Sequence, residues 1–480
     1  MNYTNNSYNE KGKQIKIKLW TEWWNIISQL RPCFSRTQTF MWFSVVMMGF
    51  STRIDLVGVT SIVRSLGLDE YYYDRILDFF HSTGVDLNLL SQKWFLIIIK
   101  TNLAYTVNGR IIILGDGLKI PKEGKKMPGV KSLHQESESN SKAEYIMGHS
   151  CQAISLLMTA TSYFFSVPII CRIHEGTVLS NRDGKTLSDK LILMILDIKI
   201  NSPFYLVADA YYSNRKMALG LLKTGDHLVT RVKKNAVAYF PPENKKGLRG
   251  RPATYGKKIK LIDILKDKSK MSKAIIAMYD DGPKEISYRS LDLLWHPVGV
   301  TVRFVFINNP TRGSAIFMTT DLSLDPLDVI KIYSLRFKIE VSFKQAINTV
   351  GAYAYHFWMK SMKKIKRKSG DQHLHKETQI YRGEVKRKLH AYHSYIQVGL
   401  IAQGVLQILS MTSSQLVWKY FGSWIRTIRP GILPSEQIVM SALRNTLPDF
   451  LKGTTTEANI EKFILDKVDL RRSEGRRMIA

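Results

Sequence analysis

Three carboxylates in this sequence stand where divalent-metal chemistry needs them. Asp116 ends the apolar run Arg110–Leu114 in Leu114-Gly115-Asp116-Gly117, and Asp209 ends a second run, Phe204–Ala208. Glu340 falls inside a helix that the apolar spacing predicts over 326–350, with Asp325 as its cap and Pro326 at its first position. A lone carboxylate at the end of a buried strand is costly. Two side by side repel by roughly 4 kcal/mol at about 4 Å and an effective dielectric of about 20. A divalent cation removes that conflict, and oxygen-only donors select Mg²⁺ or Mn²⁺ over zinc. Two such ions activate water or a 3′-hydroxyl and stabilise the leaving oxygen of a phosphodiester. Each acid alone has a plainer reading: Asp209 as a helix cap or turn residue, Glu340 as a solvated helix residue.

The helix around Glu340 narrows the choice. The intervals 336−333 = 3 and 340−336 = 4 put Tyr333, Arg336 and Glu340 on one face. Ile332, Leu335, Phe337, Ile339 and Phe343 fill most of the rest, so a polar stripe runs along an otherwise apolar helix.

The elements that must position these groups follow an α/β order. Strands are predicted at 110–114, 153–165, 167–173, 204–208 and 227–232, and helices at 187–198 and 214–222. Up to residue 107 the chain reads as helical, and the pair Leu56–Leu66 and Asp69–Phe80 resembles two short packed helices of a DNA-reading unit. Residues 233–318 read as a β-rich insertion with a Pro- and Gly-punctuated start and turns such as Asp280-Asp281-Gly282-Pro283. The Lys360–Lys388 region is basic, and the chain ends in a further basic run, Arg471–Arg477.

Composition agrees with a polyanionic partner. Seventy Lys and Arg against 40 Asp and Glu leave a net charge of +30, and each phosphate neutralised releases condensed counterions. Three widely spaced cysteines and no CxxC pair argue against a disulfide scaffold or structural zinc. No secretory signal or membrane span is read, so a cytoplasmic location is expected.

Tyr333, Arg336 and Glu340 match the Y-x2-R-x3-E signature, and the chain resembles the DDE-type insertion-sequence transposases. Gly115-Asp116-Gly117 through Lys122 and Gly124 looks like their first-acid motif. Gly148-His149, the strand around Arg231, the Gly250–Gly256 segment and Met318–Leu324 are similar to further motifs. The signature's lysine, seven residues after the glutamate, is Ile347 here, and Lys344 lies on the same face one turn earlier.

The resemblance implies an α/β fold with a ribonuclease-H-like core over 108–232 and 319–352. That core is interrupted by the insertion at 233–318 and flanked by a helical DNA-binding domain (1–107) and a basic helical region (353–480). It implies that Asp116, Asp209 and Glu340 converge on two Mg²⁺ or Mn²⁺ ions. Tyr333, Arg336, Lys344, Lys122 and Arg231 would hold DNA. It further implies binding to inverted repeats, end cleavage, strand transfer to target DNA, a homodimer on paired ends, and a nucleoid-associated prokaryotic setting. A transposase-derived binding protein without cleavage, or a simple metal-dependent nuclease, are the rival readings.

Other residues carry weaker signals. His149 fits either a site near the first acid or a satisfied core histidine. Asp321 is a rival third acid or a turn residue. Lys363–Lys368 reads as a phosphate-contacting patch, with Tyr355 and Trp358 either stacking on bases or packed in a helix core.

Overall fold

The computed structural model describes residues 18–135, 143–242, 253–278, 282–422, 429, 431–452 and 458–471. The first residues of the Gly250–Gly256 motif, Asp280 and Asp281, and the terminal basic run past Arg471 lie outside them.

After a first helix, Lys18–Ser28, come helices α1 (Thr37–Thr52), α2 (Gly58–Ser65), α3 (Tyr72–His81) and α4 (Leu87–Ile99). A meander follows: β1 (Arg110–Pro121), β2 (Tyr145–Ala160) and β3 (Tyr163–Ile173). Then come α5 (Leu187–Ile198), β4 (Phe204–Ala208), α6 (Arg215–Leu222) and β5 (His227–Val232). The expected insertion contributes β6 (Pro283–Trp295), β7 (Val300–Asn309) and β8 (Gly313–Thr319). Helices α7 (Pro326–Leu335), α8 (Lys338–Gln345) and α9 (Gln379–Thr412) close the main body. The result is a mixed α/β fold around one large sheet.

In that sheet the order is β3–β2–β1–β4–β5–β8–β7–β6. The meander is antiparallel, whereas β4 and β5 run parallel to β1. β8 pairs antiparallel with β5, so the strands of the expected insertion extend the sheet rather than forming a separate layer. Both faces are covered, which is why the central strands read as continuous apolar runs. Ile111, Ile113, Leu206 and Leu228 pack into one core. Ile112, Leu114, Tyr205, Val207 and Val229 pack into another, with Val329, Ile330, Tyr333 and Ile339 from α7 and α8.

Three expectations are corrected. The β2–β3 turn lies at Thr161-Ser162, both with positive φ, not near Ser166. The predicted 326–350 helix breaks at Arg336-Phe337 into α7 and α8, then ends in a π turn with Gly351 at φ 73°. Residues 353–360 are not helical, and their burial alternates. Helix α9 is the one described helix long and apolar enough to cross a membrane. It is mostly buried, packed chiefly against β3, α1 and α3.

Candidate active site

The register of two parallel strands brings the aspartates together. Gly115 of β1 pairs with Ala208 of β4, so Asp116 comes next on β1 and Asp209 immediately follows the end of β4. By the two-residue period, both follow the positions that face α7 and α8: Ile112 and Leu114 on β1, Tyr205 and Val207 on β4. They also line one cavity of about 860 Å³ together with Gln152, His174, Glu175 and Tyr211. Asp209 does act as a cap, since its side chain accepts from the Tyr211 backbone at 3.1 Å. Its backbone carbonyl accepts from the Thr230 hydroxyl of β5 at 2.7 Å.

Arg336 reaches in from the break between α7 and α8. Its guanidinium donates to Asp116 at 2.8 Å and to Glu340 at 2.6 Å. Glu340 sits in the first turn of α8, a position that suits an acid, with its side chain 56% exposed; those of Asp116 and Arg336 are 16% and 17%. Burial pushes Asp116 up to about 6. Arg336 opposes that shift, while Asp209 and Glu340 add to it. Burial alone would lower Arg336, but Asp116, Tyr333 and Glu340 hold it above its usual value. Mutual influence across 116, 209, 336 and 340 is the electrostatic mark of one site.

The donor set is all oxygen, and a cation is already drawn between two of its carboxylates. Those residues fit Mg²⁺ or Mn²⁺. Full convergence of the three carboxyls is not met as the side chains stand. Among the described residues, no three His, Cys, Asp or Glu side chains lie close enough to share an ion. The Arg336 guanidinium occupies the space between Asp116 and Glu340.

The other predicted residues divide. Tyr333 is buried, with its ring centroid 4.4 Å from that of Phe317, so it packs against β8. Arg231 is exposed on β5, and Lys344 is exposed on α8 one turn after Glu340. Lys122 is corrected: it is buried, and its ammonium donates to the carbonyls of Tyr353 at 2.6 Å and Tyr355 at 3.0 Å. It has no free face for a phosphate. His149 is a core histidine, bonded to the Tyr355 hydroxyl and the Pro128 carbonyl, and burial pulls it down to about 3. Asp321 is a turn residue, accepting from Ser323 and from the Tyr205 hydroxyl.

Sequence reasoning missed Gln152 and His174. Gln152 is buried opposite Gly117 and donates to Tyr212 and the Leu187 carbonyl, and its Oε1 has no partner. His174 Nδ1 is likewise buried and unpartnered at the same cavity. The polar stretch His149-Ser150-Cys151-Gln152 ahead of an apolar strand was the available signal.

Residues 115–352 match the model of the transposase DDE domain, a span that begins one residue before Asp116 and ends twelve past Glu340. This chain belongs to the transposase DDE-domain family. A cryo-electron microscopy structure of the piggyBac transposase synaptic complex with hairpin DNA is similar over 91% of this chain and 77% of that chain. Identity there is 12% and the TM-score 0.37. No curated protein compared with the chain matches it. As a DDE-domain transposase, the chain has its matched segment running through the whole acid site and the strands β6–β8.

Proposed function

We propose that this transposase binds the inverted repeats of an insertion sequence, hydrolyses phosphodiesters at its ends and transfers the freed 3′-hydroxyls to target DNA. The observation that carries this reading is the shared register of Asp116 and Asp209 on parallel neighbours, with Glu340 tied to Asp116 through Arg336. An antiparallel meander continued by two strands parallel to its first is the strand order of a ribonuclease-H-like core, which supports that assignment for 108–232 and 319–352. β6–β8 are then an insertion that extends the core sheet.

Asp116, Asp209 and Glu340 would hold two Mg²⁺ or Mn²⁺ ions, which when bound supply charge for the attacking and leaving oxygens. Arg336 has two roles in sequence. Without metal it neutralises Asp116 and Glu340. Released from them, it is placed to hold a phosphate oxygen, a task that suits a guanidinium fork. Lys344 and Arg231, both exposed, extend the grip along the strand. The basic composition supplies sequence-independent affinity, and a homodimer pairing two ends completes the reading.

The test uses a duplex carrying the inverted repeat found beside the gene. With Mn²⁺, wild type should nick the end and join it to target DNA. Glu340→Gln keeps the shape and loses the charge, so binding should survive while cleavage falls by orders of magnitude. Binding without cleavage by wild type would select the transposase-derived binding protein, and cleavage without joining the simple nuclease.

A further inference from the structure

We propose that Trp358, with Lys360, Lys363 and Lys364, forms a stacking site for an exposed base of a DNA strand, presented by a segment built to be rigid. Along 353–360 the burial alternates. Tyr353, Tyr355, Phe357 and Met359 point into the core, while His356, Trp358 and Lys360 point out. Trp358 is 68% exposed, in contrast to the buried Trp20, Trp23 and Trp94.

The inward side is stitched at nearly every step. Lys122 Nζ donates to the Tyr353 and Tyr355 carbonyls, and Tyr392 donates to the Phe357 carbonyl at 2.6 Å. The Met359 amide donates to the Lys126 carbonyl at 3.0 Å, and Lys126 Nζ donates to the Lys360 carbonyl at 2.9 Å. Tyr355 is further held by His149 at 2.7 Å and lies 3.7 Å under the Lys122 ammonium. An exposed indole on such a strap loses little freedom when it meets a flat partner.

Charge then selects the partner. Between Trp358 and Gly370 there are six Lys and Arg and no acid. Lys360, Lys363, Lys364, Lys366, Arg367 and Lys368 are exposed, and among the described residues none of them forms an ion pair. An exposed indole followed in the chain by unpaired cations matches a base flanked by phosphates, the combination that single-stranded nucleic-acid sites use. The indole lies against Gly124, just past the end of β1: a Cβ there would sit 3.6 Å from its nitrogen.

The inference rests on the reading of the chain as DNA-acting, and its test does not use cleavage. Fluorescence anisotropy on the full chain in EDTA compares labelled oligothymidylate with a labelled duplex of equal length. Trp358→Ala should weaken oligothymidylate binding roughly 10-fold and Trp358→Phe by under about threefold, with duplex binding changed by under about twofold. Lys363→Ala combined with Lys364→Ala should weaken both probes and lower the salt slope by about 0.7 per lost contact on single strands. Wild-type-like oligothymidylate binding by Trp358→Ala would overturn the proposal. So would an equal loss in the Ala and Phe variants, or an equal loss on duplex. Thermal melts of the variants check that the fold is intact. If wild type still cuts its ends with Mn²⁺ while Trp358 proves silent, only the stacking site falls.

Discussion

One strand, β1, carries a largely buried acid at Asp116 and delivers a buried base, Lys122, just past its end. Burial disfavours the charge on both, pushing Asp116 up to about 6 and Lys122 down to about 7. Their partners differ. Lys122 is held by two main-chain carbonyls and an aromatic face, all from the 353–355 segment, and nothing else competes for it. Asp116 leans on a single side chain, Arg336, and on the neighbouring Gly117 amide at 2.8 Å. A charge satisfied by the main chain is architecture. A charge satisfied by a side chain that can leave is available for chemistry.

The largest expected effect tests the architectural end. Lys122→Ala removes three methylenes and the ammonium from a packed site and leaves the Tyr353 and Tyr355 carbonyls unpaired, so it should destabilise the protein by about 4 kcal/mol. Lys122→Met keeps the stem and loses only the donors, and should lose about half as much. Urea melts at constant pH measure both. A Lys122→Ala variant as stable as wild type would remove the stitch from the argument.

The opposite sign is expected at the chemical end. Asp116 has a folded pKa of about 6 against an ordinary 3.8. The folded state therefore keeps this proton to higher pH than the unfolded state. Its contribution to stability falls as pH rises from about 4 to about 6 and stays lost above that. A difference of that size is worth about 3 kcal/mol. In metal-free buffer near pH 8, Asp116→Asn should then be more stable than wild type by up to that amount, and its pH profile should lose the decline between 4 and 6. Lys122 tilts the profile the other way: it releases its proton at about 7 when folded and near 10.5 when unfolded, so stability gained from it rises across that window. An Asp116→Asn variant less stable than wild type at every pH would mean that Arg336 fully compensates the acid.

Much of this contrast was legible before the fold. The runs 187–198, 204–208 and 227–232 are the elements found, because short apolar stretches bounded by turns and caps leave little choice. The acids at strand ends were equally visible. The first-acid motif alone suggests a DNA contact for Lys122, and its true acceptors lie more than 200 residues away at 353 and 355, where local sequence does not reveal them. The alternation Tyr353, Tyr355, Phe357, Met359 was present in the sequence as a two-residue period, yet its following directly on a helix hid it. The break at Arg336-Phe337 has no Gly or Pro to announce it. Arg336 N bonds to the Tyr333 carbonyl three residues back, a local tightening that spacing alone does not reveal.

The smallest expected effect asks whether Arg336 and a metal compete for the same carboxylates. Its guanidinium donates to Asp116 and to Glu340, and a cation entering there must take over both oxygens. Removing Arg336 removes the competitor. Bonds of this charged kind are worth about 1.5–3 kcal/mol, but Glu340 is half in water and part of that is already screened. Arg336→Ala should therefore tighten Mn²⁺ binding by roughly tenfold, near the lower end of that range. It should not raise cleavage in proportion, because the same side chain is then missing from the phosphate. Arg336→Lys keeps one positive charge without the fork and should fall between the two. Titration calorimetry of Mn²⁺ into the DNA-free protein reads the affinity, with Asp116→Asn as the control in which binding is largely lost. Unchanged affinity in Arg336→Ala would separate the arginine from the metal site. Weaker affinity would reverse its role, making Arg336 the group that holds Asp116 in position for the ion rather than the one that keeps the ion out.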